Sequence, residues 1–152
     1  MARRVQRQVG VSVSDYLLEF FEDPGGDQPV RRWLKEELSP TKRRALGYAM
    51  SEVLQRIGVS VCGTELGRQL GQGLFEFRLR ANPGAISSGR GRSPPEEAVL
   101  LRVFCHAHGD RAILLLGGYD KGEHPCRERQ SREIARARAR LADWRARRRR
   151  RG

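Results

Sequence analysis

Apolar positions change their spacing once along the chain, from the period of a helix to that of a strand. Tyr16 to Phe21 is a short aromatic-rich run stopped by Asp23-Pro-Gly-Gly26, which reads as a strand ended by a turn. Asp27 and Pro29 then open a helix as N-cap residue and first-turn proline, with Val30, Trp33, Leu34 and Leu38 at helical spacing. Ser39 and Pro40 repeat that start signal at once. Leu46, Ala49, Met50, Val53, Leu54 and Ile57 follow along one helical face, and Gly58 closes it.

Beyond this point the period becomes two. Leu74 to Arg80 alternates, with Phe75, Phe77 and Leu79 on one side and Glu76, Arg78 and Arg80 on the other. Ala98 to His106 predicts a second strand, with Val99, Leu101, Val103 and Cys105 opposite Arg102, Phe104 and His106. Gly109-Asp110 turns the chain, and the unbroken apolar run Ile113 to Leu116 predicts a central strand. Residues 81–97, rich in Gly, Pro, Ser and Arg, exceed an ordinary connection and predict an inserted flexible loop. A last helix begins near Ser131, where Ile134, Ala137, Leu141 and Trp144 make one apolar stripe. After Trp144 only Arg and Ala remain before Gly152, which predicts fraying.

The elements add up to one α+β domain over residues 1–152: two N-terminal helices, a twisted antiparallel sheet and a C-terminal basic helix. Residues 1–10 form a polar arm in this reading, and residues 145–152 an Arg-rich flexible tail.

Composition sharpens the picture mainly through charge. Thirty Lys and Arg against eighteen Asp and Glu give +12, and the isoelectric point lies near 11.0. Twelve Arg and three acids lie between Arg127 and Gly152, so +9 of the excess sits there and only +3 elsewhere. A balanced body with a basic helix seeks phosphates, anionic lipid or an acidic protein. Arg is used there to the exclusion of Lys, which favours nucleic acid, because the guanidinium fork matches phosphate oxygens. With 38% hydrophobic residues the chain can build a modest core. It contains no run of about 18 apolar residues and no secretory signal at Met1 to Gln8, so the expectation is a cytoplasmic protein without a membrane partner.

Cys62, Cys105 and Cys126 form no C-x-x-C pair, and their odd number argues against a disulfide framework or structural zinc. Neither a metal site nor a cofactor is expected, since no phosphate loop is present and Gly71-Gln-Gly73 is too short a nucleotide signal. The chemically suggestive set is basic: Arg78, Arg80, Arg102 and Lys121, with Tyr119, Asp120 and His124 nearby. Pleating puts Arg78 and Arg80 on one side of a strand and Arg102 on the polar side of its expected neighbour. Like charges so placed repel unless an acid such as Glu76 pairs with them, or unless they are built to hold an anion. Fixed guanidinium groups can stabilise the extra charge on a phosphodiester attacked by its own 2′-hydroxyl.

Four ordered segments resemble the RelE/HigB-type toxins, in particular their phage-derived branch. They are Gly73-Leu-Phe-Glu-Phe-Arg-Leu-Arg80, Leu101-Arg-Val-Phe104, Leu116-Gly-Gly-Tyr-Asp-Lys121 and Arg132-Glu-Ile-Ala-Arg-Ala137. The resemblance implies a compact RelE-like fold and a ribonuclease that cleaves mRNA, usually on the ribosome, and is silenced by a cognate antitoxin. Carried over by position, it implies that Arg78 and Arg102 hold the scissile phosphate and that Lys121 stabilises transition-state charge. Tyr119 occupies an aromatic position where it can stack on a base. Gly122 stands where the family has a second Lys, and Leu101 where it has an aromatic residue, so the proton-transfer roles stay open among Tyr119, His124 and Asp120. Arg80, His124, Arg136, Arg138 and Arg140 complete the expected RNA contacts. The alternative is a basic protein that binds nucleic acid, or an acidic protein partner, without cleaving anything.

Overall fold

In the computed structural model, which describes residues 15–81 and 99–151, five strands form one sheet: β1 (Leu17–Phe20), β2 (Gly67–Gly71), β3 (Leu74–Ala81), β4 (Val99–His108) and β5 (Ala112–Asp120). Their order across the sheet is β1-β5-β4-β3-β2. The polar arm at residues 1–10 and the loop at 81–97, past residue 81, lie outside the described residues. The sheet is mixed, which corrects the expected antiparallel one: β1 runs parallel to β5, while the other three pairs are antiparallel. A strand followed by helices instead of a hairpin has no local constraint that would make its sheet neighbour antiparallel.

Pro29 does start α1 (Pro29–Arg32), which continues as a wide π turn over Trp33–Glu37. Asp27 is not the cap; Gln28 holds that position without a side-chain bond, and Asp27 pairs with Arg32 instead. Ser39 caps α2 (Pro40–Ala49) as expected, its hydroxyl accepting from the Lys42 N–H at 3.2 Å. That helix runs on through a π segment at Met50–Leu54 and a final turn, α3 (Gln55–Ile57), to Gly58. Strand β2 has no counterpart in the sequence reading. The Gly71-Gln-Gly73 stretch is its hairpin turn: Gln72 and Gly73 have φ of 58° and 86°, the left-handed pair that a two-residue hairpin needs.

Each face of the sheet carries its own core. Phe75, Phe77 and Leu79 of β3, Leu101, Val103 and Cys105 of β4, and Ile113 and Leu115 of β5 pack against Val30, Trp33, Leu46 and Leu54. On the opposite face Leu74, Phe104, Leu114, Leu116 and Tyr119 pack with Ala137 and Leu141 of α4 (Arg127–Arg151). A bulge decides which residues join the second group. Phe104 partners Gly117 while Cys105 partners Leu115, so Leu116 is an extra residue in β5. Strict alternation would set Tyr119 beside Ile113 and Leu115; after the bulge it belongs to the α4 face. Strand β1 reaches only as far as Leu115 along β5, and α1 covers part of the remaining edge. There a Cβ on Gly118 would stand 2.5 Å from the Trp33 ring, so only glycine allows this approach.

The stripe Ile134, Ala137, Leu141 and Trp144 docks α4 as expected. The expected fraying after Trp144 is not found, because the helix continues to Arg151. Arginine is a good helix former, and this end is tied down: Arg145 donates to the Gln72 carbonyl at 3.2 Å, Arg147 to Glu22 at 2.8 Å and to Asp143 at 2.7 Å. Among the described residues no helix is long and apolar enough to cross a membrane.

Candidate anion-binding site on the sheet

The hydrogen-bond register brings the expected basic residues together in two adjacent rows. Arg78, Arg102 and Tyr119 are partners across β3, β4 and β5. One step further, Arg80 partners Leu100, and the Lys121 N–H donates to the Leu100 carbonyl at 2.9 Å. With strands about 5 Å apart, each row places its outer members about 10 Å from one another. The four segments that carry the family resemblance are therefore neighbours in space, on three consecutive strands and the helix that packs over them.

Beneath the first row lies Glu76, completely buried. Its carboxylate oxygens are 3.3 Å from Arg102 Nε and 3.7 Å from Arg78 Nε, so a single acid serves two cations. Arg68 of β2 is its partner on the other side. Neither Glu76 oxygen, nor Arg102 Nε, nor the Tyr119 hydroxyl makes a well-directed hydrogen bond with a described residue. The site is thus held mainly by charge rather than by a saturated hydrogen-bond network. Arg102 is 7% exposed; burial lowers its pKa, with Glu76 acting in the opposite sense. Arg78 retains about a third of its side-chain surface (32%), Arg80 is exposed and Lys121 is half-buried. The cations that an incoming anion meets first are consequently Arg78, Arg80 and Lys121, while Arg102 sits behind them.

Several expected roles change. Tyr119 is 1% exposed and lies against Phe104, with ring centroids 6.2 Å apart. Arg129 stands over the ring as well, 5.6 Å from its centre. No face is left for a base to stack on, and burial raises the pKa of the hydroxyl, so Tyr119 is a poor proton acceptor. The bulge at Leu116 is what sets the ring on the α4 face, next to Phe104. Asp120 is also engaged: Lys42 lies 2.5 Å from its Oδ2, and its Oδ1 accepts the Glu123 N–H. His124 is exposed on the loop after β5, lining a cavity of about 260 Å³ with Trp33, Lys42, Asp120 and Arg129.

On α4 the expected RNA-contacting arginines mostly hold the protein together. Arg138 donates to the Gly71 carbonyl at 3.1 Å and also to Leu70, fixing the β2–β3 hairpin. Arg140 donates to the Leu116 carbonyl at 2.8 Å, with burial lowering its pKa. Arg136 is exposed but pairs with Glu133 at 3.4 Å. Arg127 and Arg132 near its start are exposed as well, and the run from Arg148 to Arg151 exposes four cations at its end.

Sequence reasoning raised Glu76 only as a neutralising option, and it missed Arg68 and Arg129. An acid on the arginine side of an alternating strand was the one available signal for Glu76; Arg68 was lost with β2. Cys105 is buried as expected, and all three cysteines are free. No family model and no curated protein matches this chain.

Proposed function

We propose that the protein is a toxin-like endoribonuclease that cleaves mRNA, and that the open part of its polar sheet face holds the scissile phosphate. The carrying observation is the pairing of Arg78 with Arg102 over a buried carboxylate, with Arg80 and Lys121 in the next row. The resemblance to RelE/HigB-type toxins supports the same reading, including the translating ribosome as the place of cleavage and a cognate antitoxin as the silencing partner. In this chemistry the 2′-hydroxyl attacks the adjacent phosphorus and the 5′-oxygen leaves, giving a 2′,3′-cyclic phosphate and a 5′-hydroxyl. Water accepts the proton lost and supplies the one gained. Guanidinium groups stay protonated and act only as charge, strongest where the phosphorane bears its second negative charge.

The test is induced expression in a bacterial host with mRNA 5′-ends mapped. Parent cells should arrest and show new ends, and Arg78→Ala cells should show at least a hundredfold fewer. Equal cleavage by Arg78→Ala ends the assignment. A second reading, non-catalytic nucleic-acid binding, draws on the exposed arginines Arg148 to Arg151 at the end of α4. It requires arrest without new RNA ends, and a binding constant that falls steeply with salt and loses much of that slope when those four arginines are replaced.

A further inference from the structure

We infer that Glu76 is a positioning residue, which holds the Nε edge of Arg78 so that the far end of this guanidinium meets one phosphodiester. The inference rests on the ribonuclease reading for its ligand, and on geometry for the rest. Glu76 lies in the middle of β3 beside Leu74 and Phe104, where an apolar side chain would pack at no cost in desolvation. Burying a carboxylate there is costly unless its charge is used.

One arginine would neutralise it, and Arg102, almost as deeply buried, already does so. Yet Arg78 approaches the same carboxylate, again with Nε nearest, at 3.7 Å and by charge without a hydrogen bond. Arg102, by contrast, also has an Nη1 contact of 3.4 Å to the Leu101 carbonyl. The two arginines therefore differ in duty: Arg102 supports the carboxylate, and the carboxylate aims Arg78. A guanidinium drawn to one side by charge in advance loses less freedom on binding, and this bias matters most where charge builds up in the transition state.

The experiment is a double-mutant cycle between Glu76→Gln and Arg78→Lys. Glutamine keeps the shape and removes the charge, so affinity for a short 2′-deoxy oligonucleotide should hold or rise up to about fivefold. Cleavage of the matching RNA at saturation should nevertheless fall at least tenfold. Arg78→Lys should lose a similar factor, and the double variant should be no more than twofold below Arg78→Lys. Effects that multiply, or a Glu76→Gln protein that cleaves like the parent, would overturn the inference. A residue serving only as counter-ion to Arg102 would lower the melting temperature without this coupling.

Motion of the Arg78 Nε–H bond, followed by NMR relaxation in the parent, gives a readout that needs neither a variant nor cleavage. A clearly more restricted bond than at exposed Arg149 is expected; equal mobility rejects the role even if Glu76→Gln does not fold. If the parent cleaves no RNA while Arg78 Nε stays restricted, the ribonuclease reading fails and the positioning role stands.

Discussion

On the side of the sheet covered by α1 and α2, Phe75, Phe77, Leu101 and Val103 meet Trp33, Leu46 and Leu54 in a core without a charged member. On the side covered by α4, the intervening residues of the same strands are Glu76, Arg78, Arg102 and Tyr119. The helix there is fastened as much by arginine-to-carbonyl bonds as by apolar contact. Alternation produces both surfaces from one stretch of chain. The first is closed and serves stability; the second stays partly open and holds unneutralised cations. A protein can place reactive charge on a rigid strand in this way because the opposite side chains anchor that strand.

This contrast gives graded expectations. The largest loss of stability belongs to the closed side: Phe77→Ala should cost about 3–5 kcal/mol in urea unfolding, through lost burial and a residual cavity. A cost near 1 kcal/mol or less would mean that the two faces do not differ as described. Next comes the buried pair. Arg102→Ala should cost about 2–4 kcal/mol, because it leaves the buried Glu76 carboxyl without its nearest partner. Replacing Glu76 and Arg102 together by Met should return stability to within about 1 kcal/mol of the parent while abolishing RNA cleavage. If that double variant cleaves, the pair has no functional share in the face.

A smaller effect, about 1 kcal/mol, is expected for Arg140→Ala, which removes the bond to the Leu116 carbonyl. Faster amide hydrogen exchange along α4, with β3 and β4 unchanged, would be its mark. The smallest concerns pH. Burial lowers the pKa of His106, whose Nδ1–H donates to the Gly73 carbonyl at 2.8 Å, and Arg145, His108 and Arg148 add to that lowering. The unfolded chain therefore binds this proton more readily, and the folded state loses stability as pH falls below about 6.5. Trp144 lies edge-on to the His106 ring and Glu19 accepts from His108 at 2.8 Å, so the loosening should appear where α4 meets β4. His106→Asn should flatten the parent's decline below about pH 6.5; an unchanged slope would assign it to other groups.

Much of the contrast was legible in the sequence. The alternation of β3 and β4 sorted Phe77 from Arg78 and Val103 from Arg102 correctly, because both strands run without irregularity where those residues lie. Ser39 and Pro40 marked a helix start through local chemistry, and the structure uses both. Long-range features were not legible. The parallel pairing of β1 with β5 joins segments about a hundred residues apart, and no local signal encodes it. The bulge at Leu116 reverses the alternation three residues before Tyr119 and sets its ring on the α4 face, where Phe104 covers it. Arg138 and Arg140 looked like free cations, since a sequence shows charge but not the carbonyl groups waiting opposite.

The most direct test of the central claim is an NMR titration of the labelled protein with a short 2′-deoxy oligonucleotide, which binds without being cut. Perturbation should center on Arg78, Arg80, Leu100 and Lys121 and leave the opposite side, at Phe77 and Val103, unmoved. Changes confined to Arg148 through Arg151 at the end of α4 would contradict the account and move the nucleic-acid contact to the helix.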